Sequence, residues 1–231
     1  MKQKLKDKGY LGKTVIVLVV GLFLVFILAW LEYPINRTGE LPVEEKVSPF
    51  DMVVVDAVIP GIKIELAYAG KNNVYGARIY DINQAYLRRG TAEKLRKAQE
   101  EFNSHGYTIK IWDAYRPPEA QFKLWEVMPD ARFVINPNKG YSYHSRGVAL
   151  DITLLDKHGE ELPMPSEFDN FTARADREYS DVDKIKADNA KFLEKIMLKH
   201  GFKSIHYEWW HFTDAERDNY GIVDDKELPG T

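Results

Sequence analysis

From Thr14 to Leu31 the chain reads TVIVLVVGLFLVFILAWL, eighteen residues without a charge. A helix at the surface of a water-soluble domain needs a polar face, and this stretch has none. Its length falls within the ~17–25 residues that cross a bilayer as a helix, so the sequence predicts one N-terminal transmembrane helix over 14–31. Five lysines precede it in residues 1–13 against a single acid, Asp7, and the segment beyond it leans acidic through Glu32, Glu40, Glu44 and Glu45. Positive charge stays on the cytoplasmic side. The basic segment 1–13 is therefore expected inside, and the chain after the span in the periplasm or at the cell surface. A cleavable signal peptide is the rival, although its apolar region is usually shorter and no small-x-small site stands near Ala29. Residues 32–49, with Pro34, Gly39, Pro42 and Pro49 among charges, lack periodicity and read as a tether. One folded domain over 50–231 is expected to follow.

The chain of 231 residues carries Lys+Arg 32 against Asp+Glu 35, a formal charge of −3, so no basic face is on offer to a nucleic acid. With 45% hydrophobic and 13% aromatic residues it can bury a core, which excludes disorder as the overall state. Cysteine is absent, which removes disulfides, thiol nucleophiles and thiolate metal sites. Any metal must sit on His, Asp or Glu. Beyond the tether the apolar pattern switches between period two and period 3.6, predicting an α+β domain whose mixed, mainly antiparallel sheet is packed with helices. Helices are expected over 92–105, with Thr91 as N-cap and Gly106 as stop, from Pro117–Pro118 to Val127, and over 184–200, where Ile185, Phe192, Ile196 and Met197 form a stripe. Strands are expected over 53–58, 62–66, 107–112, 148–155 and 202–209.

The chemistry begins at Ser142-Tyr143-His144-Ser145-Arg146-Gly147-Val148-Ala149-Leu150-Asp151. In the strand after Gly147, Val148, Leu150, Ile152 and Leu154 alternate with Ala149, Asp151 and Thr153, so Asp151 points away from the apolar face. His144 lies seven positions before it, an odd number that a continuous strand would send to the opposite face, and Gly147 can break that register. Imidazole and carboxylate could then converge on one metal ion; taken alone, the pair is equally a surface histidine and a solvated acid. Near the C-terminus, Tyr207-Glu208-Trp209-Trp210-His211-Phe212 sets a carboxylate and an imidazole among four aromatic rings, where an uncompensated charge is expensive. His144, Asp151 and His211 would make a nitrogen/oxygen ligand set on a sheet face with a fourth zinc position open to water, and Glu208 could serve as base. A His satisfied within the core fits the spacing as well. Glu208 and His211, three apart, would face opposite sides of a regular strand, so a bulge or turn is expected at Trp209–Trp210. Asp113-Ala114-Tyr115-Arg116-Pro117-Pro118 places an arginine at a strand–helix junction, where Asp113 could hold the guanidinium toward a cleft; a plain surface ion pair is the alternative.

Taken in order, DAYRPP, SYHSRGVALD and EWWH resemble the VanX-type D-alanyl-D-alanine dipeptidases, a zinc peptidase family, over about Val53 to Phe212. Ala67-Tyr68-Ala69 followed by Asn73-Val74-Tyr75-Gly76 is similar to a further segment of that family. The resemblance implies one zinc ion per domain on His144, Asp151 and His211, Glu208 as general base, and Arg116 as the residue that stabilises the tetrahedral oxyanion. It implies that Ser142 holds the substrate carboxylate and that Asp169, in Met164-Pro165-Ser166-Glu167-Phe168-Asp169, receives the substrate ammonium. The implied reaction is hydrolysis of the free dipeptide to D-alanine, with no other cofactor. A D,D-carboxypeptidase acting on peptidoglycan stem peptides and a non-catalytic zinc-containing binding module are the alternatives; Glu208 and Arg116 argue against the second, because a structural site needs neither base nor oxyanion donor.

The other histidines read as structural. His105 and His200 sit at helix ends, where a cation complements the dipole, and His158 lies in a turn. His206 shares strand parity with Glu208 but is expected to stay outside the ligand set. Trp209 and Trp210 are expected to be packing walls.

Overall fold

The computed structural model describes residues 47–230. The expected span at 14–31, the basic segment before it and the tether up to residue 46 lie outside the described residues. No helix among the described residues is long and apolar enough to cross a membrane.

The described elements are β1 (Met52–Val54), α1 (Val55–Val58), β2 (Lys63–Ile64), β3 (Tyr86–Arg88), α2 (Arg89–Ser104), β4 (Thr108–Asp113), α3 (Pro118–Val127), β5 (Ala149–Leu155), α4 (Lys184–Lys199), β6 (Phe202–Ile205) and β7 (Glu208–Asp214). The main sheet runs β2-β4-β5-β7-β6; β2 is parallel to β4 and the other neighbours are antiparallel, while β1 and β3 pair apart from it. The fold is thus the mixed α+β arrangement that the patterning implies.

Parity divides the sheet into two faces. Ile109 pairs with Leu154, Ile111 with Ile152, and Leu150 with Phe212, and directly opposed residues share a face. That face joins Ala92, Leu95, Ala98 and Phe102 of α2 and Ala187, Ala190, Leu193, Ile196 and Met197 of α4 in one apolar cluster. Each fully buried Leu, Ile or Phe stabilises the fold by roughly 1.5–3 kcal/mol. The other parity carries Lys110, Thr153, Asp151, His211 and Thr213, and polar groups collect there.

Tertiary context overrides several local expectations. The strand expected over 53–58 stops at Val54; Val55 turns into α1 with its N–H bonded to the Ala85 carbonyl at 2.9 Å. The single strand expected over 202–209 is the hairpin β6–β7. Helix α2 starts at Arg89, so Thr91 is no cap; it is buried and its hydroxyl donates to Asp214 at 2.8 Å. Ile185 leaves the predicted stripe, being 65% exposed in the first turn of α4, where its N–H is taken up by the Asp183 cap.

Two breaks in register re-aim side chains toward the polar face, as bulges do. On β4, Ile111 pairs with Ile152 and Asp113 with Asp151, leaving Trp112 unopposed. On β7, Phe212 pairs with Ser204 but Glu208 with Ile205, so the ladder with β6 is broken over residues 209–211. The odd spacing of Glu208 and His211 required such a break.

Gly147 supplies a third re-aiming element. It links a 3-10 turn at His144–Arg146 to β5 with φ of 69°, a left-handed conformation that suits glycine. A Cβ there would stand 2.9 Å from Met52 Sδ and 3.3 Å from the Arg88 backbone nitrogen. Gly147→Ala is expected to destabilise the domain by about 1–3 kcal/mol, read as a lower urea midpoint at constant slope. An unchanged midpoint would mean that the turn does not need glycine.

Candidate active site

His144, Asp151 and His211 are buried and present ligand atoms within 4.8 Å of one another. His211 Nδ1 lies 2.9 Å from Asp151 Oδ1, His144 Nε2 3.5 Å from Asp151 Oδ2, and the two ring nitrogens 3.3 Å apart. His144 Nδ1 is 2.7 Å from the Ala114 carbonyl. A carbonyl only accepts, so Nδ1 carries the proton and Nε2 offers its lone pair inward. His211 Nε2 is 3.0 Å from Thr213 Oγ1; with Nε2–H donating to that hydroxyl, Nδ1 also offers a lone pair. Two imidazole acceptors and a carboxylate then converge with no donor among them, a set that a cation satisfies. The residues fit a zinc ion, and the outward bonds are of the kind that orient metal-binding histidines. Without a metal, burial opposes ionisation of Asp151, but imidazole N–H groups turned toward it would hold its carboxyl well below the usual range; burial pushes His211 down.

Arg116 is locked beside this trio. Its Nε and Nη2 reach one oxygen of Asp113 at 2.8 and 2.5 Å, while Tyr80 donates to the other at 2.7 Å. Its Nη2 is 3.8 Å from Asp151 Oδ2, its guanidinium lies 5.1 Å from the Tyr68 ring centroid, and its backbone N–H donates to the His144 carbonyl. Burial works against the charge, but Asp113 outweighs it and keeps Arg116 cationic.

Glu208 sits with Oε2 3.7 Å from His211 Nδ1. Burial, then Asp151 and Asp169, raise its carboxyl well above the ordinary value. The bulge that brings it there leaves carbonyls off the ladder, and Arg177 collects them: Nη2 donates to the Trp209 and His211 carbonyls at 2.9 and 3.2 Å, and Nε to that of Ile205 at 2.8 Å.

Ser142 and Asp169 line the same cavity as Arg116, His144, Asp151, Glu208 and His211, so the structure brings all seven expected site residues together. Ser142 Oγ also accepts the His144 N–H at 3.2 Å. Asp169, at φ of 58°, is buried and accepts from Tyr68 Oη at 2.8 Å. Tyr75, whose buried hydroxyl meets no partner, lines the cavity too. His206 is half exposed, 3.9 Å from Glu178. Trp209 is a packing wall, bonded to Ser166; Trp210 is equally buried but also lines the cavity.

Sequence reasoning missed the roles of Ala114, Thr213, Tyr80 and Arg177. Thr213 was reachable, being two residues from His211 on one strand face; Ala114 acts through its backbone carbonyl, which side-chain patterns do not report, and Tyr80 and Arg177 act across distant loops. Tyr68 had a signal, since it stands in a segment that resembles the family.

Burial raises the Asp169 carboxyl to about 8, against an ordinary value of ~3.9; Asp151 adds to the rise, while Tyr68 and Arg116 oppose it. The folded chain then holds a proton that the unfolded chain has released, so this group's stabilising contribution is lost as pH climbs from about 4 to about 8. Asn cannot ionise. Asp169→Asn is expected to raise the Tm of the metal-free chain, and by more at pH 8 than at pH 5. An equal gain at both would place the carboxyl at its ordinary value.

The D-ala-D-ala dipeptidase family model matches residues 49–227. The chain is 35% identical over 176 residues to the D-alanyl-D-alanine dipeptidase of Escherichia coli, covering 76% of this chain and 91% of that protein. Against the D-alanyl-D-alanine dipeptidase of Enterococcus faecium it is 34% identical over 179 residues, 68% of this chain and 88% of the relative. The protein of the same name from Streptomyces coelicolor is 31% identical over 186 residues, 72% and 92% of the two chains. With the match spanning nearly the whole described domain, the chain belongs to the D-ala-D-ala dipeptidase family.

Proposed function

We propose that the domain hydrolyses the free dipeptide D-alanyl-D-alanine to two molecules of D-alanine. The observation that carries this reading is one small cavity in which a buried acid, a metal trio, a base and a fixed guanidinium all face inward. Its volume, about 240 Å³, is below the ~300–1,000 Å³ of clefts that hold drug-sized ligands. A zwitterionic dipeptide fits such a space better than a stem peptide does.

His144, Asp151 and His211 would hold a zinc ion, which when bound would supply Lewis-acid polarisation of the scissile carbonyl and of a water molecule. Glu208 takes a proton from that water as its oxygen adds to the carbonyl carbon. Arg116, held rigid by Asp113, presents N–H donors where negative charge develops on the carbonyl oxygen, and needs no reorganisation to do so. Glu208 then returns the proton to the leaving nitrogen as the C–N bond breaks. The water oxygen ends in the new carboxylate and the freed amine leaves as the second D-alanine. Asp169, oriented by Tyr68, receives the substrate ammonium, and Ser142 meets its carboxylate.

An ammonium met by a carboxylate is a charge-assisted bond, and acylating the amine removes it and leaves a buried acid unpaired. At ~3 kcal/mol the loss is about a hundredfold in rate. D-Ala-D-Ala is therefore expected to be cleaved at least about a hundredfold faster than its N-acetyl derivative, with Asp169→Asn narrowing the gap chiefly by slowing the free dipeptide. Equal hydrolysis of both would favour a D,D-carboxypeptidase acting on stem peptides.

We infer further that the domain works outside the cytoplasm, held by a membrane-spanning helix over 14–31. The support is the uncharged run itself and the lysines that precede it. An enzyme so placed cannot intercept cytosolic dipeptide before it enters the cell-wall precursor, so salvage or turnover of extracytoplasmic dipeptide is the role that follows. Protease added to intact spheroplasts is expected to degrade the domain; full protection would place it inside.

A further inference from the structure

A dipeptide with a free carboxylate brings a full negative charge into this cavity, and a serine hydroxyl at Ser142 does not neutralise it. Buried carboxylates call for a cationic partner. Arg116, Arg132, Lys203 and Arg217 are the cationic side chains among the described residues that line the cavity. Arg116 is committed to Asp113. Arg132 is engaged by both oxygens of Asp130 at the exposed rim. Lys203 is exposed to solvent on β6.

Arg217 differs from all three. It follows β7 in a short 3-10 turn over Arg217–Asn219, and its guanidinium carbon stands 4.9 Å from the centroid of Tyr143. Its Nε and Nη1 are buried and meet no hydrogen-bond partner. Arg146 approaches the same ring at 5.1 Å, and its Nε is likewise buried without a partner. Two guanidinium groups share one aromatic ring with three buried donors unused, and Tyr143 is the residue between Ser142 and His144. Buried, unsatisfied donors of a charged group are rare enough to call for an explanation. An incoming anion is the chemistry that would satisfy them.

We propose that Arg217 is the carboxylate anchor of the site, its guanidinium meeting the C-terminal carboxylate of the dipeptide beside Ser142. Tyr143 holds the guanidinium by cation–π contact, and Arg146 adds positive potential from outside the cavity. The anchor rests on the dipeptidase reading above and adds to it the residue that selects a free C-terminus.

The test compares D-Ala-D-Ala with D-alanyl-D-alaninamide, which keeps the scissile bond and loses the charge, on the zinc-loaded full chain. Wild type is expected to favour the free acid. Arg217→Gln is expected to lower kcat/KM for the acid by about 10–100-fold while leaving the amide unchanged, and Arg217→Lys to recover part of the loss. Calorimetric binding of the dipeptide to the metal-free chain is expected to weaken in the same order. Equal losses on acid and amide, as a collapsed Tyr143 contact would give, overturn the anchor. So does a wild type that handles the acid and the amide alike, a result that needs no variant. A wild type active on neither compound overturns the dipeptidase reading and the anchor with it, whereas an active wild type with an unaffected Arg217→Gln variant overturns the anchor alone.

Discussion

The two outward hydrogen bonds of the imidazoles are the constraint on which the rest of this site depends. His144 spends its Nδ1 proton on the Ala114 carbonyl, and His211 can spend its Nε2 proton on Thr213. Each bond leaves a lone pair aimed at Asp151, and only then do the three groups form a metal site rather than a chain of hydrogen bonds. Both partners are part of the sheet's own architecture. Ala114 follows directly on β4, and Thr213 lies on β7 opposite Ala149. The central strand β5, rigid between β4 and β7, sets Asp151 against them.

The same sheet hides many ionisable groups. Asp113, Arg116, Asp151, Asp169, Glu208 and His211 are all buried on the site side, and burying ions is unfavourable unless each finds a partner. Asp113 is the hub that makes this tolerable: one carboxylate receives Tyr80 and the Nε and Nη2 donors of Arg116, and lies 3.4 Å from His144 Nδ1. Asp169 has only Tyr68 and remains protonated until about pH 8. A carboxyl kept neutral in the empty site and able to ionise against an ammonium is costly for the fold and suited to binding. Stability is given up where a ligand restores it.

Irregular backbone does the aiming. The bulge at Trp112 turns Asp113 onto the face of Asp151, the break across 209–211 lets Glu208 and His211 meet, and Gly147 folds the His144 turn back over β5. Each irregularity frees backbone groups that need partners. Arg177 supplies them for the β7 break, binding the Trp209 and His211 carbonyls from a segment about thirty residues away in sequence. A regular sheet would have kept every ladder bond and scattered these side chains over both faces.

Much of this was legible in the sequence because it is written in local periodicity. Alternation placed Asp151 on the polar face of β5; Pro117–Pro118 marked the start of α3, and an odd spacing of three demanded the β7 break. The ordered segments around Arg116, His144, Asp151, Glu208 and His211 disclosed the family, since side-chain type and order are properties of the chain itself. Tertiary structure alone decided the rest. Val55–Val58 turns helical because Val55 is drawn to the Ala85 carbonyl, Thr91 leaves its capping role for Asp214, and Ile185 yields its place on the buried stripe to Ala187 and Ala190. Tyr80, Arg177 and Arg217 gain their roles only when distant loops close on the sheet. Periodicity reports which face a residue takes within its own element; which groups meet across elements depends on long-range packing, and no pattern in one stretch of sequence encodes it.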